Sequence, residues 1–404
     1  MRVDLLTKEF PPKVYGGAGV HVEELSKVLA DYLEVQVRAF GGPRAGMENV
    51  TGYSDLTELS EANPALQSLG VDLTIAQDTA GADIVHSHTW YANMAGHWAK
   101  LLHGSAHIIS AHSLEPLRPW KEEQLGGGYR VSSWAEKTAY EAADGIIAVS
   151  HAMREDILRC YPLVSPEKVH VVHNGIDISS WTPDHSAEGR VHARQTLSRL
   201  GICEGVPTVV FVGRITRQKG LPYMLRALRQ LPQGVQVVLC AGAPDTPEIM
   251  AEVQGLVEEL RSSRGEGVIW IEEMLPRREL VEVLDNSTVF VTPSIYEPLG
   301  IVNLEAMAVS LPVVGTATGG IPDVIVDGET GVLVPIEQVT DGTGTPLNPE
   351  RFVDDLASAI NGVLDNPEKA ARMGQAGRKR AEEHFTWSAI AKRTFEVYNA
   401  VLNR

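Results

Sequence analysis

The chain has 404 residues, 44% of them hydrophobic, which is enough apolar material for two cores rather than one. Its 35 basic against 52 acidic side chains leave a formal charge of −17, which argues against nucleic acid or an anionic membrane as a general partner. Three scattered cysteines, Cys160, Cys203 and Cys240, form neither a disulfide framework nor a metal motif. The start is unlike a signal peptide and no apolar run nears the roughly 18 residues of a membrane span, so a soluble cytoplasmic protein is expected.

Along the chain, short apolar runs alternate with helical periodicity, the pattern of a parallel α/β sheet. RVDLLT, VQVRAF, DIVHSH, HIISAH, DGIIAVS and KVHVVHNG read as strands of a first domain. Between the first two, Ala18, Val22, Leu25 and Leu29 share one helical face. Asn, Gly, Asp and Pro cluster around Trp181, which sets the expected boundary between residues 1–180 and 181–387. The pattern then restarts with PTVVFVGR, VQVVLCAG, GVIWIEE, STVFVTPS and LPVVGTA, and a helix is expected from Leu221 to Leu231. The tail places Ala391, Phe395, Tyr398 and Leu402 on one helical face. In such sheets ligands bind beyond the carboxyl ends of strands, at a topological switch, and two facing sheets form a cleft.

Polar residues just after strands are therefore the candidates. Gly16, Gly17 and Gly19 precede a helix and allow close approach of an anion, but the third glycine and ribose-binding acid of a dinucleotide fingerprint are missing. A nicotinamide dehydrogenase is accordingly the poorer reading. His86 and His88 share a strand face without an evident third ligand, so no metal site is expected there. His112 follows a strand and reads equally as a structural or a site histidine. Arg118 and Lys121 are balanced between a surface charge mosaic and an acceptor-phosphate site. Arg214, Arg217 and Lys219 follow the strand of VGRITRQKG, where a bidentate guanidinium and a mobile ammonium suit a diphosphate. The TATGGIP turn reads as ligand-lining or structural.

SIYEPLGIVNLEAMA carries Glu297 and Glu305, eight residues apart. On a helix that separation is roughly 12 Å of rise and about 80° of rotation, unlike the close carboxylate pair of a retaining glycosidase. Pro298 and Gly300 put Glu297 in a loop and Glu305 in the following helix, so the two acids address different parts of one elongated ligand.

With His112, Arg214, Lys219 and Glu297-x7-Glu305 in this order, the chain resembles the retaining glycosyltransferases of family 4 over essentially its whole length. The segments TKEFPPKVYGGAGVHVEEL, HSHTWYANMAGH, AHSLEPLRPWKEEQLGGGY, FVGRITRQKG and YEPLGIVNLEAMA resemble, more narrowly, its actinobacterial-type glycogen synthase group. The resemblance implies a GT-B fold: two Rossmann-like domains facing across a cleft, with the acceptor-side domain completed by residues 388–404 crossing back. It also implies transfer of glucose from ADP-glucose to glucose-1-phosphate through an α-1,4 bond, giving α-maltose-1-phosphate. In that reading Arg214 and Lys219 neutralise the donor diphosphate, and Glu297 meets the donor sugar near its 3-hydroxyl. Glu305 takes the ribose hydroxyls, and the backbone at Leu299 and Gly300 opens a helix beneath the phosphate or sugar. Gly17 belongs to the glycine loop, and His112 meets the sugar's 6-hydroxyl.

Longer starch and glycogen synthases carry lysine two positions before their Gly-Gly pair. Here Val14 and Tyr15 precede Gly16 and the nearest base is Lys13, to which that role is not transferred. No cofactor and no essential metal is expected, two cations standing in for a metal at the phosphate. The partners expected are a nucleotide sugar and a phosphorylated sugar or α-glucan acceptor, with a homodimer left open. The alternatives are elongation of an α-1,4-glucan, a different donor base or sugar, and a non-catalytic nucleotide-sugar sensor.

Overall fold

The computed structural model describes residues 1–14, 16–118, 122, 126–339 and 343–403. The chain divides into two compact units, residues Met1–Gly175 together with the segment from Trp387 onward, and Ile176–Thr386.

Among the described residues, the first unit has a seven-stranded parallel sheet in the order β3-β2-β1-β4-β5-β6-β7. These strands are β1 (Arg2–Thr7), β2 (Glu34–Phe40), β3 (Val50–Tyr53), β4 (Ile84–His88), β5 (Ala106–Ala111), β6 (Gly145–Ala148) and β7 (Val169–Val171). The order reverses between β1 and β4, where Thr7 lies beside His88. The six expected runs are all present. The additional edge strand β3 is short and broken in hydropathy by Gly52, a position where a Cβ would fall 1.7 Å from the Gly42 carbonyl oxygen.

The helix Gly17–Leu29 buries Val22, Leu25 and Leu29. The C-terminal helix Trp387–Leu402 belongs to this unit, but its buried side is formed by Trp387, Ile390, Ala391, Thr394, Val397, Tyr398 and Val401. The face expected from Ala391, Phe395, Tyr398 and Leu402 is thus corrected. At 100° per residue the true face is centred about 70° away, so Phe395 lies on the rim, stacked on Tyr32, and Leu402 is exposed.

The second unit, among its described residues, has six parallel strands in the order β10-β9-β8-β11-β12-β13. They are β8 (Thr208–Arg214), β9 (Gln236–Gly242), β10 (Val268–Ile271), β11 (Val289–Thr292), β12 (Val313–Thr316) and β13 (Gly331–Val334). Here the switch lies between β8 and β11. The helix expected to reach Leu231 is α-helical only over Leu221–Ala227 and tightens into a 3₁₀ turn at Leu228–Gln230. Pro232 accounts for this, because the residue before proline is pushed out of the helical region, and Leu231 is extended.

Candidate active site

In the second unit the expected residues gather at the β8/β11 switch. Arg214 ends β8, half-exposed, with Nη1 3.2 Å from Asp245 Oδ1 beyond β9. Lys219 follows in a tight turn closed by Gly220, whose φ of 65° and proximity to the Pro293 carbonyl oxygen (1.9 Å from a would-be Cβ) both require glycine. That turn is tied to the loop after β11, since Ile295 N donates to Gln218 O at 2.8 Å. Lys219 Nζ thereby reaches Glu297 Oε2 at 2.7 Å, and Ser294 Oγ donates to the same oxygen at 3.1 Å. The two basic residues thus engage separate carboxylates rather than a common one.

Glu297 lies in the loop and Glu305 in the helix Ile301–Ala308. Gly300 caps that helix with φ 90°, no side chain caps its end, and Leu299 is buried beneath. The TATGGIP turn proves to hold Glu297 in place: Gly320 N donates to the Glu297 carbonyl at 2.9 Å, and Gly319 has no room for a Cβ against that same oxygen. Burial pushes the Glu305 carboxyl up to about 7, against the opposing pull of Arg277 and Lys219.

In the first unit His112 lies past β5, its Nε2 3.0 Å from His88 Nδ1. His86, two residues before His88 on β4, bonds Tyr398 OH at 2.7 Å and Ser110 Oγ at 2.8 Å, so the C-terminal helix fixes one imidazole of the cluster. His21 completes the group, and one nitrogen each from His21, His88 and His112 lie within 4.8 Å of one another. The strand face that showed no evident third ligand in the sequence thus has two further imidazoles, His21 and His112, beside His88. His21 lies on the buried face of the helix Gly17–Leu29, far away in sequence. Burial lowers all four pKa values, His112 to about 4 and His86 to about 3, so the cluster is neutral at pH 7.

Gly17 is the first residue of its helix, behind Gly16, whose N–H donates to Glu9 Oε2 at 2.7 Å. Gly19 has a packing reason, since a Cβ there would meet Glu9 and Val14 at 2.8–2.9 Å. Arg118 donates from Nη1 to Ser113 Oγ at 3.0 Å. Lys121 lies outside the described residues.

Two family models divide the chain: "Glycosyltransferase Family 4" matches residues 15–180 and "Glycosyl transferases group 1" residues 194–380. Over 401 residues the chain is 50% identical to an alpha-maltose-1-phosphate synthase of Mycolicibacterium smegmatis, covering 99% of this chain and 100% of the relative. The chain belongs to glycosyltransferase family 4. A Mycobacterium tuberculosis relative of the same name is 49% identical over the same shares of the two chains. A sucrose-phosphate synthase structure from Thermosynechococcus elongatus matches this family-4 glycosyltransferase with a TM-score of 0.76 at 23% identity, covering 100% of this chain and 99% of the other. The two parallel-sheet units are those of a GT-B fold.

Sequence reasoning missed Gly220, Ser294 and Asp245, which support the residues at the β8/β11 switch, and, in the first unit, His21 of the imidazole cluster. His21 and Asp245 gave no signal, because only tertiary structure brings them in.

Proposed function

We propose that this family-4 glycosyltransferase is a retaining glucosyltransferase that moves glucose from ADP-glucose to glucose-1-phosphate, forming α-maltose-1-phosphate through an α-1,4 bond. The observation that carries the reading is the arrangement at the β8/β11 switch, where an ammonium, a guanidinium and two separately placed carboxylates suit one extended nucleotide sugar. Half-identity across nearly the whole chain to relatives named for α-maltose-1-phosphate supports the acceptor.

The chemistry follows from charge. When the bond from the sugar's anomeric carbon to the diphosphate oxygen breaks, its electron pair leaves with ADP and the ring takes on positive character. Lys219 and Arg214 stabilise the departing diphosphate, an effect strongest where donors are preorganised away from water. Lys219 must turn from Glu297 toward the phosphate, which leaves Glu297 free to accept from a sugar hydroxyl and to offset the ring's charge. The acceptor's 4-hydroxyl attacks from the face the diphosphate leaves, and its proton passes to a donor phosphate oxygen. Glu305 accepts from the ribose hydroxyls above the backbone at Leu299 and Gly300. His112, neutral by burial, serves as a hydrogen-bonding group for a sugar hydroxyl. Arg118, with Lys121 by sequence alone, takes the acceptor phosphate. No essential metal or cofactor enters the scheme.

The test offers ADP-glucose with glucose-1-phosphate, with glycogen, or with both, and identifies the product. A disaccharide phosphate in the first and third mixtures is expected. Label found only in polymer would establish glucan elongation instead, and donor binding without any turnover would establish a sensor.

A further inference from the structure

The β1/β4 switch of the first unit holds a second set of cations that the scheme above leaves incomplete. Lys8 directly follows β1, and Tyr91 lies three residues past the end of β4. Because Thr7 and His88 are neighbours in the sheet, the two chain segments leave it side by side, where open α/β sheets form their ligand crevice. Lys8 Nζ sits 3.5 Å from the centroid of the Tyr91 ring, a cation–π contact. Thr89, between His88 and the helix that carries Tyr91, has φ 66°, a strained value for a β-branched residue that, among the described residues, only Ala243 and Ser310 share in sign without being glycine.

Neither Lys8 nor Arg118 forms an ion pair among the described residues. One oxygen of each nearby acid is held by another donor, Glu9 Oε2 by Gly16 N at 2.7 Å and Glu115 Oε2 by Ser132 Oγ at 2.6 Å. Burial lowers the Lys8 pKa, with Asp55 and Glu9 opposing only in part. The Arg118 Nε is buried without a hydrogen-bond partner among the described residues; burial and the Glu115 carboxylate raise the Tyr91 pKa, and Arg118 lies near enough to oppose them. A half-buried cation without a close ion-pair partner is costly unless something supplies the charge.

We infer that Lys8, against the Tyr91 ring, and Arg118, near enough to act on the Tyr91 hydroxyl, form a seat for the phosphomonoester of a small acceptor at the carboxyl ends of β1, β4 and β5. Two cations match a dianion better than a neutral glucan or a monocarboxylate. The ammonium acts as a point charge, and the guanidinium supplies the free Nε–H as a directed donor. The inference rests on the phosphorylated-acceptor reading and deepens it by naming Lys8 as the residue that selects for phosphate.

The test compares wild type with Lys8→Met, which keeps the stem over Tyr91, with Lys8→Gln as a second neutral variant and Lys8→Arg as the charge-keeping one. Folding is checked by circular dichroism. Lys8→Met is expected to raise the KM for glucose-1-phosphate about 10- to 100-fold, the range for a lost charge-assisted hydrogen bond. Its KM for ADP-glucose should move less than about twofold, and Lys8→Arg should restore most of the loss. Inorganic phosphate supplies a readout without turnover: its protection against thermal unfolding should disappear in both neutral variants. If wild type makes the disaccharide phosphate and folded Lys8→Met or Lys8→Gln keeps its KM and its phosphate protection, the seat is wrong while the proposed function stands. If wild type uses only glycogen and phosphate protects every form alike, both fall.

Discussion

Lys219 and Glu297 hold each other at 2.7 Å, their side chains 17% and 7% exposed, at the point where the second sheet reverses direction. Removing one member of such a pair leaves a charge stranded in low dielectric, typically at a cost of about 3–5 kcal/mol when fully buried. Lys219→Met should therefore destabilise the second unit by on the order of 3 kcal/mol. Lys219→Met/Glu297→Gln should recover part of that. Denaturant titration of the single and double variants measures the coupling, and additive losses would show that the pair does not act as a unit.

The backbone behind Glu297 gives a second test. Gly319→Ala would place a methyl 1.9 Å from the Glu297 carbonyl oxygen at φ 54°, so the loop must move. A loss of about 3 kcal/mol in stability and at least about tenfold in turnover is expected. Gly328 is the control: its φ is 74°, but nothing lies within 4 Å of a Cβ there. Gly328→Ala should cost about 1 kcal/mol of strain and leave turnover unchanged.

Glu305 titrates near neutrality, and the sign of its effect is fixed. Burial raises its pKa from 4.5 to about 7 in the folded protein. Between those values the folded state holds more protons than the unfolded, so its contribution to stability falls as pH rises and levels off above pH 7. Ribose hydroxyls donate best to the ionised carboxylate, so ADP affinity should rise across pH 6 to 8. Calorimetric ADP titrations should show that rise in wild type and a flat, weaker profile in Glu305→Gln.

The buried imidazoles act in the opposite direction. Burial lowers His86 and His107 to about 3, assisted by neighbouring histidines. Unfolded histidine takes up protons near pH 6.5, so the stability these residues contribute is complete above that pH and is lost as pH falls toward 3. At pH 5 each should cost on the order of 2 kcal/mol, measurable as a lower urea midpoint than at pH 7. His107→Gln should reduce that dependence, and an unchanged midpoint between the two pH values would contradict it.

Much of this molecule was legible because local pattern and tertiary role agree. Runs such as PTVVFVGR are apolar enough to be buried on both faces, and Pro298 and Gly300 mark the loop that separates Glu297 from Glu305. Agreement failed where a residue's reason lies far away in the chain. Gly319 is glycine because of the Glu297 carbonyl, and His21 matters through His88 and His112, to which no helical period points. The tail's periodicity was visible, yet the width of its buried arc depends on what packs against it. Tyr398, bonded to His86 across 312 positions, could be placed on the inner face but not at the cluster.

The central claim is that Lys219 exchanges Glu297 for the diphosphate of the departing nucleotide. Single-turnover transfer from ADP-glucose to glucose-1-phosphate, in wild type and in folded Lys219→Met at saturating substrates, tests it directly. A fall of about 100-fold or more in the transfer rate is expected, the scale of losing one preorganised donor to developing charge. Transfer at the wild-type rate in the variant would contradict the account.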